Sequence, residues 1–313
     1  QLARLEKRKV EAVLLTSDLE DVIRIAKKEI SRLVDENNKL KTFLSTTADT
    51  KSIAESLKSE LKQSKLSNSP GITVSTASEI HDIKELYFKE DTNFTESKIK
   101  VITPGVNLNV FKPGNRSIAK QKLQLSPTKM VLYAGRVEPL KGIDIAIKAV
   151  AKLEMNELVD LIIVGGDATS EHIVSDLKNL AESLGITKRV KFVGSISQSE
   201  LADFYRAADV LIFPSYYESF GLVALEAMAS GTPIVASAIE GYSSVITHGS
   251  DGLLAEPKNE NALAANIEEL LKNQDLRAKL ALNGTNKAKK FSWTLVAKDV
   301  IEYYENCIRE SRL

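Results

Sequence analysis

None of the 15 glycines in this 313-residue chain lies before Gly71. The first proline is Pro70, and residues 1–69 hold a single aromatic, Phe43. A nucleotide-binding α/β domain needs glycines in its strand-to-helix turns, where the backbone turns tightly or meets a ligand closely. Residues 1–69 are therefore not such a domain, and glycine-dependent chemistry belongs to the residues after them. Length alone suggests about two ordinary domains. The glycine map reduces this to one complete α/β domain, 129–286, preceded by a hinge and a helical segment.

Residues 1–66 read mainly as helix, with a possible short strand at 10–17 and a second helix at 52–65. From Leu19 the seam Leu19, Ile23, Ala26, Ile30, Leu33, Asn37, Leu40, Leu44 alternates spacings of four and three. Such a heptad seam, with an Asn at one a position, can join two copies of a chain. The two readings are a homodimer through residues 19–44 and an amphipathic helix packed on a neighbouring domain. A run of under four heptads favours the second.

After Gly71 the period changes. Strands are expected at 72–75 and 98–102, with a helix at 79–88 between them. The polar stretch 112–126 reads as an interdomain connection. From Lys129 apolar strands (130–134, 160–164, 190–193, 210–213, 233–236, 252–255) alternate with helices near 142–153, 171–184, 198–207, 221–230, 259–272, 275–290 and 293–310. Ser197 and Glu200 form a capping box at one helix start. Continuous apolar strands separated by helices predict a parallel sheet covered on both faces, a doubly wound Rossmann-like domain. Ligands of such sheets bind beyond the carboxyl ends of the strands.

Composition excludes several classes. Hydrophobic residues make up 43% and charged residues 27%, as in an ordinary globular chain rather than a disordered or fibrous one. Lys plus Arg and Asp plus Glu are both 42, so no basic footprint for nucleic acid follows. No apolar run reaches transmembrane length. The one cysteine, Cys307, and the lack of a signal peptide lead us to expect a reducing, cytoplasmic setting. The chain begins at Gln1 rather than Met, so we expect it to be a piece of a longer one.

Three loops at strand carboxyl ends carry the chemistry. The first, Gly135-Arg136-Val137-Glu138-Pro139-Leu140-Lys141-Gly142, places two cations between glycines, which suits a diphosphate. Taken alone, a solvated surface loop would explain it as well. The second runs from Pro214 through Glu218, Ser219, Phe220, Gly221 and Leu222 into a helix. Ser219 is the expected N-cap there, which leaves the amides of Phe220, Gly221 and Leu222 as an anion site. Glu226 lies among apolar and small neighbours, where a carboxylate needs a partner. Glu218 and Glu226 are a little over two helical turns apart, so both can face one ligand. The third loop, Gly194-Ser195-Ile196, could meet a flat ring with its backbone.

The combination of Gly-Arg-(x)4-Lys-Gly with Glu-(x)7-Glu, inside Glu-Ser-Phe-Gly-Leu-Val-Ala-Leu-Glu-Ala-Met-Ala-Ser-Gly-Thr-Pro-Ile-Val-Ala, resembles the retaining glycosyltransferases of family four, which have the GT-B fold. Within that family it is most similar to the group holding sucrose-phosphate synthases and the mycothiol-pathway N-acetylglucosaminyltransferases. The resemblance spans about 72–304. It implies that 1–70 is a helical segment, a coiled coil or else a remnant of the N-terminal domain or an insertion into it, and that 71–128 is the end of that domain with the hinge. Residues 129–290 would bind the nucleotide sugar, and 291–313 would return toward the N-terminal domain.

It also implies roles. Arg136 and Lys141 would hold the donor diphosphate, and Glu218 would contact the sugar. Gly135 and the backbone of Ser219, Phe220, Gly221 and Leu222 would take phosphate or sugar. Glu226 would accept from the ribose hydroxyls, and Gly194 would border the base. The implied activity is transfer of a sugar from a nucleotide-sugar donor, UDP-linked, to an unknown acceptor with retention. No metal or other cofactor is expected, and His81, His172 and His248 are scattered. Two positions depart from the family: Glu240-Gly241 stands for its Gly-Gly, and Ser244 for an acid. The alternative reading is a non-catalytic nucleotide-sugar-binding module with a helical dimerisation arm.

Overall fold

The computed structural model describes residues 71–87, 96–154 and 159–310. The helices and heptad seam expected in residues 1–66 lie outside the described residues. Residues 69–313 form one compact unit.

The unit opens with two short parallel strands, β1 (Ile72–Val74) and β2 (Ile99–Val101), separated in sequence by α1 (Ser78–Tyr87). Next comes α2 (Arg116–Lys122), inside the stretch expected to be a polar connection. This helix packs through charges. Lys120 and Arg116 pair with the buried Asp209 at 3.0 and 3.3 Å, and only Ala119 is buried on α2 itself. Asn115 caps its start by accepting from the Ile118 amide.

The main sheet contains β3 (Lys129–Ala134), β4 (Val159–Val164), β5 (Val190–Gly194), β6 (Val210–Phe213), β7 (Ile234–Ser237) and β8 (Leu253–Ala255). All its pairings are parallel, in the spatial order β5-β4-β3-β6-β7-β8. The helices between and after the strands are α3 (Ile143–Ala151), α4 (Glu171–Ser183), α5 (Gln198–Ala207), α6 (Leu222–Ala229), α7 (Glu240–Ser243), α8 (Glu260–Lys272), α9 (Gln274–Ala288) and α10 (Trp293–Glu310). The expected strands and helices recur within about two residues. The order reverses between β3 and β6, and such a reversal opens a crevice at the strand carboxyl ends.

Side chains alternate across the sheet, so each strand feeds two cores. Met130, Leu132 and Ala134 of β3 join α5 and α6 on one face, with Phe204, Tyr205, Leu225 and Met228. Val131 and Tyr133 join α3 and α8 on the other, with Ile147, Val150, Ile267 and Leu270. Two dry faces of this kind hold the strand ends still, which fixes the loops they carry. The last helix, α10, reaches β1 and β2: the Tyr303 hydroxyl donates to the carbonyls of Ile72 and Lys98 at 3.2 and 2.6 Å.

Candidate nucleotide site at the strand carboxyl ends

The loops after β3 and β6 flank the crevice and are laced together. The Tyr216 amide donates to the Leu140 carbonyl at 2.8 Å. Gly142 sits in the left-handed region with φ 64°, and a Cβ there would run into the Pro214 carbonyl. Only glycine permits both the conformation and the contact. Inside the first loop, the Tyr133 hydroxyl donates to the Arg136 carbonyl at 2.7 Å, and Val137 is buried. Burial pushes the Tyr133 hydroxyl well above its ordinary pKa, so it stays a donor.

This framework brings Lys141 and Glu218 into an ion pair of 2.9 Å across 77 residues of sequence. Their side chains are only 14% and 21% exposed, so the pair is held in place rather than waving in solvent. Gly241 backs the second loop: a Cβ there would strike the Glu218 carbonyl. The single glycine of Glu240-Gly241 is thus the one the packing needs. Ser244, at the other departure, turns its hydroxyl onto the Gly241 carbonyl at 2.8 Å. The Tyr242 ring stacks on Phe213, and its hydroxyl meets Ser215 at 3.1 Å.

The expected cap of α6 is corrected. Gly221, in the left-handed region with φ 86°, stands at the N-cap, and Ser219 lies two residues upstream, exposed and without a capping bond. A side chain at the cap would meet the Tyr242 ring, which is why glycine replaces the usual serine there. The open first-turn amides are therefore those of Leu222 and Val223, while the Phe220 ring anchors the loop against Phe291. Replacing Ser219 with alanine should leave the melting temperature within about 1 °C. The capping-box change Ser197→Ala should cost about 1 kcal/mol in denaturant titration.

Glu226 is half-buried on α6 and accepts a hydrogen bond from the Tyr205 hydroxyl at 3.1 Å. Burial raises its carboxyl pKa, and the Tyr205 bond opposes that shift without cancelling it. Burial and the nearby carboxylate push the Tyr205 hydroxyl up in turn. The pair leaves the carboxylate short of solvation, a state that further hydroxyl donors would relieve.

A cleft of ≈ 360 Å³ lies at the ends of β3, β4 and β5. Gly135, Arg136 and Glu138 line one side, and Ser195, Ile196 and Leu201 line another. The remaining wall, Gly165-Gly166-Asp167, is a site element that sequence reasoning missed. The Gly165 amide donates to the Gly194 carbonyl at 2.8 Å, and the Ser195 hydroxyl to the Gly166 carbonyl at 2.7 Å. The available signal was a glycine pair directly after an apolar strand. Arg136, on the lining of this cleft, is 75% exposed and pairs with Glu138 at 2.7 Å. The structure thus groups Gly135 and Arg136 with the loop after Gly194, and joins Lys141 directly to Glu218. His248 accepts from the Leu254 amide at 2.9 Å, and His81 and His172 are exposed. Among the described residues no helix is long and apolar enough to cross a membrane.

Comparison with known proteins bears on the same region. A family described as glycosyl transferases group 1 matches residues 115–287. A D-inositol 3-phosphate glycosyltransferase of Thermobispora bispora is 35% identical over 244 residues, covering 76% of this chain and 56% of the relative. Among solved structures, sucrose-phosphate synthase from Thermosynechococcus elongatus aligns with a TM-score of 0.72 at 30% identity, over 82% of this chain and 62% of that one. HepE of Anabaena, solved with UDP-glucose, aligns with a TM-score of 0.68 at 25% identity, over 76% of this chain and 64% of that one. The chain spans between half and two thirds of the length of these proteins.

Proposed function

The chain belongs to the glycosyl transferases group 1 family, and on that premise we propose that it binds a nucleotide-sugar donor, UDP-linked, for retaining transfer of the sugar to an acceptor. In this reading the described unit supplies the donor side of the reaction. The observation that carries it is the Lys141–Glu218 pair, held between two glycine-laced loops at the point where the strand order reverses.

The roles follow from what each group can do there. When the bond from sugar to phosphate breaks, negative charge grows on the leaving diphosphate. Arg136 and Lys141 meet that charge, and preplaced cations do so with little reorganisation. The first-turn amides of Leu222 and Val223 add donors at the positive end of α6. Glu218, relieved of part of its hold on Lys141, accepts from a sugar hydroxyl. Glu226 accepts from the ribose, whose hydroxyls replace the water the carboxylate lacks. The base lies along Gly194-Ser195-Ile196 and the Gly165-Gly166 turn. Two cations answer the phosphate charge, and we assign no metal ion to the site. HepE, with its bound UDP-glucose, supports the choice of uridine.

Calorimetric titration tests the reading. UDP should bind the 313-residue chain at one site, more tightly than GDP. The absence of heat with either diphosphate would overturn it.

A further inference from the structure

Both phosphate cations are already occupied by carboxylates, but in different ways. Lys141 and Glu218 are nearly enclosed and belong to two loops that hold each other. Arg136 and Glu138 sit two residues apart on one loop, with Val137 between them buried, so their side chains share the outer side. Both line the cleft at the strand ends. Their pair is exposed, at 75% and 37%, and an exposed ion pair is held only weakly. A diphosphate offers the Arg136 guanidinium a stronger, bidentate partner. Glu138 would then be left as an unpaired carboxylate beside the phosphate held by Arg136.

We propose that Glu138 is a gate on the donor phosphates: it neutralises Arg136 in the empty site, must release it for a nucleoside diphosphate to bind, and then opposes the bound anion. This rests on the donor-site reading above. Glu138 acts through Arg136 and through its own charge, so it is a positioning residue. Its effect should touch phosphorylated ligands and spare the nucleoside. It should also fade as salt screens the charges.

The test is titration of UDP and of uridine into the native chain and into Glu138→Gln, at low and high ionic strength. We expect Glu138→Gln to bind UDP about 3–10-fold more tightly at low ionic strength, from loss of one like charge at close range. The gain should shrink at high ionic strength, and uridine affinity should not change. Equal or weaker UDP binding by Glu138→Gln would overturn the gate, because a carboxylate that orients Arg136 for phosphate gives that result. A change in uridine affinity of the same size would overturn it too, since it would place Glu138 at the nucleoside. If the native chain binds no nucleoside diphosphate, the donor-site reading falls and takes the gate with it. Native binding with an unimproved variant removes the gate alone.

Discussion

Replacing Glu226 with glutamine should weaken UDP binding by about 30–100-fold, the effect expected from losing a charged acceptor for the two ribose hydroxyls proposed to meet it. The same change should raise the melting temperature at neutral pH. The two outcomes have one cause. Burial raises the carboxyl pKa of Glu226 in the folded chain, so folding favours its protonated form. The stability this contributes is fully present below the ordinary carboxylate pKa and is lost as pH rises through the raised value. At neutral pH the native chain therefore carries a cost for the desolvated charge that it does not carry in acid. Glutamine removes that cost and still accepts from Tyr205. Ribose hydroxyls favour the ionised form, so UDP affinity of the native chain should fall on acidification, beginning above the usual carboxylate range. Affinity equal to native in Glu226→Gln rejects the ribose role, and an unchanged melting temperature rejects the desolvation argument.

Lys141→Met has the second large effect, and it divides into two parts that can be separated. Loss of the ammonium should remove the proposed charge-assisted contact to the diphosphate, about 2–3 kcal/mol, or roughly 30–150-fold in UDP affinity. It also strands Glu218, a carboxylate only 21% exposed, without its partner. A stranded acid of this kind costs about 1–2 kcal/mol, less than for a fully buried pair. Adding Glu218→Gln should restore stability, read by denaturant titration, while UDP binding stays weak. Uridine binding should be near native in both variants. If the second substitution restores no stability, Glu218 does not depend on Lys141 in the way the 2.9 Å contact implies.

The parallel domain was legible because its strands are continuous apolar runs and one helix start carries a clear capping box, at Ser197. Elements without an apolar face were not. The helix α2 packs through Arg116 and Lys120 onto Asp209, so it looked like a polar connection. Ser219 satisfied the usual preference for an N-cap, but the Tyr242 ring leaves room only for Gly221. The need of Glu226 for a partner was readable; that the partner is Tyr205, on another helix, was not. The motif showed the cations of the first loop and not that Glu138 answers one of them. For the helix, the cap and the Tyr205 partner the missing information was a contact across the fold, which spacing along the chain does not encode; for Glu138 it was which way two side chains of one loop turn.

The proposed site for a nucleoside diphosphate is formed by the loops at the carboxyl ends of the parallel strands. Amide chemical shifts recorded during a UDP titration test it directly. The largest changes should fall on Gly135 and Arg136, on Gly165 to Asp167, on Gly194 to Ile196 and on Ser219 to Val223. Amides at the opposite, amino ends of the strands, such as Met130 and Val210, should stay still. Changes clustered at those amino ends, or no changes at all, would contradict it.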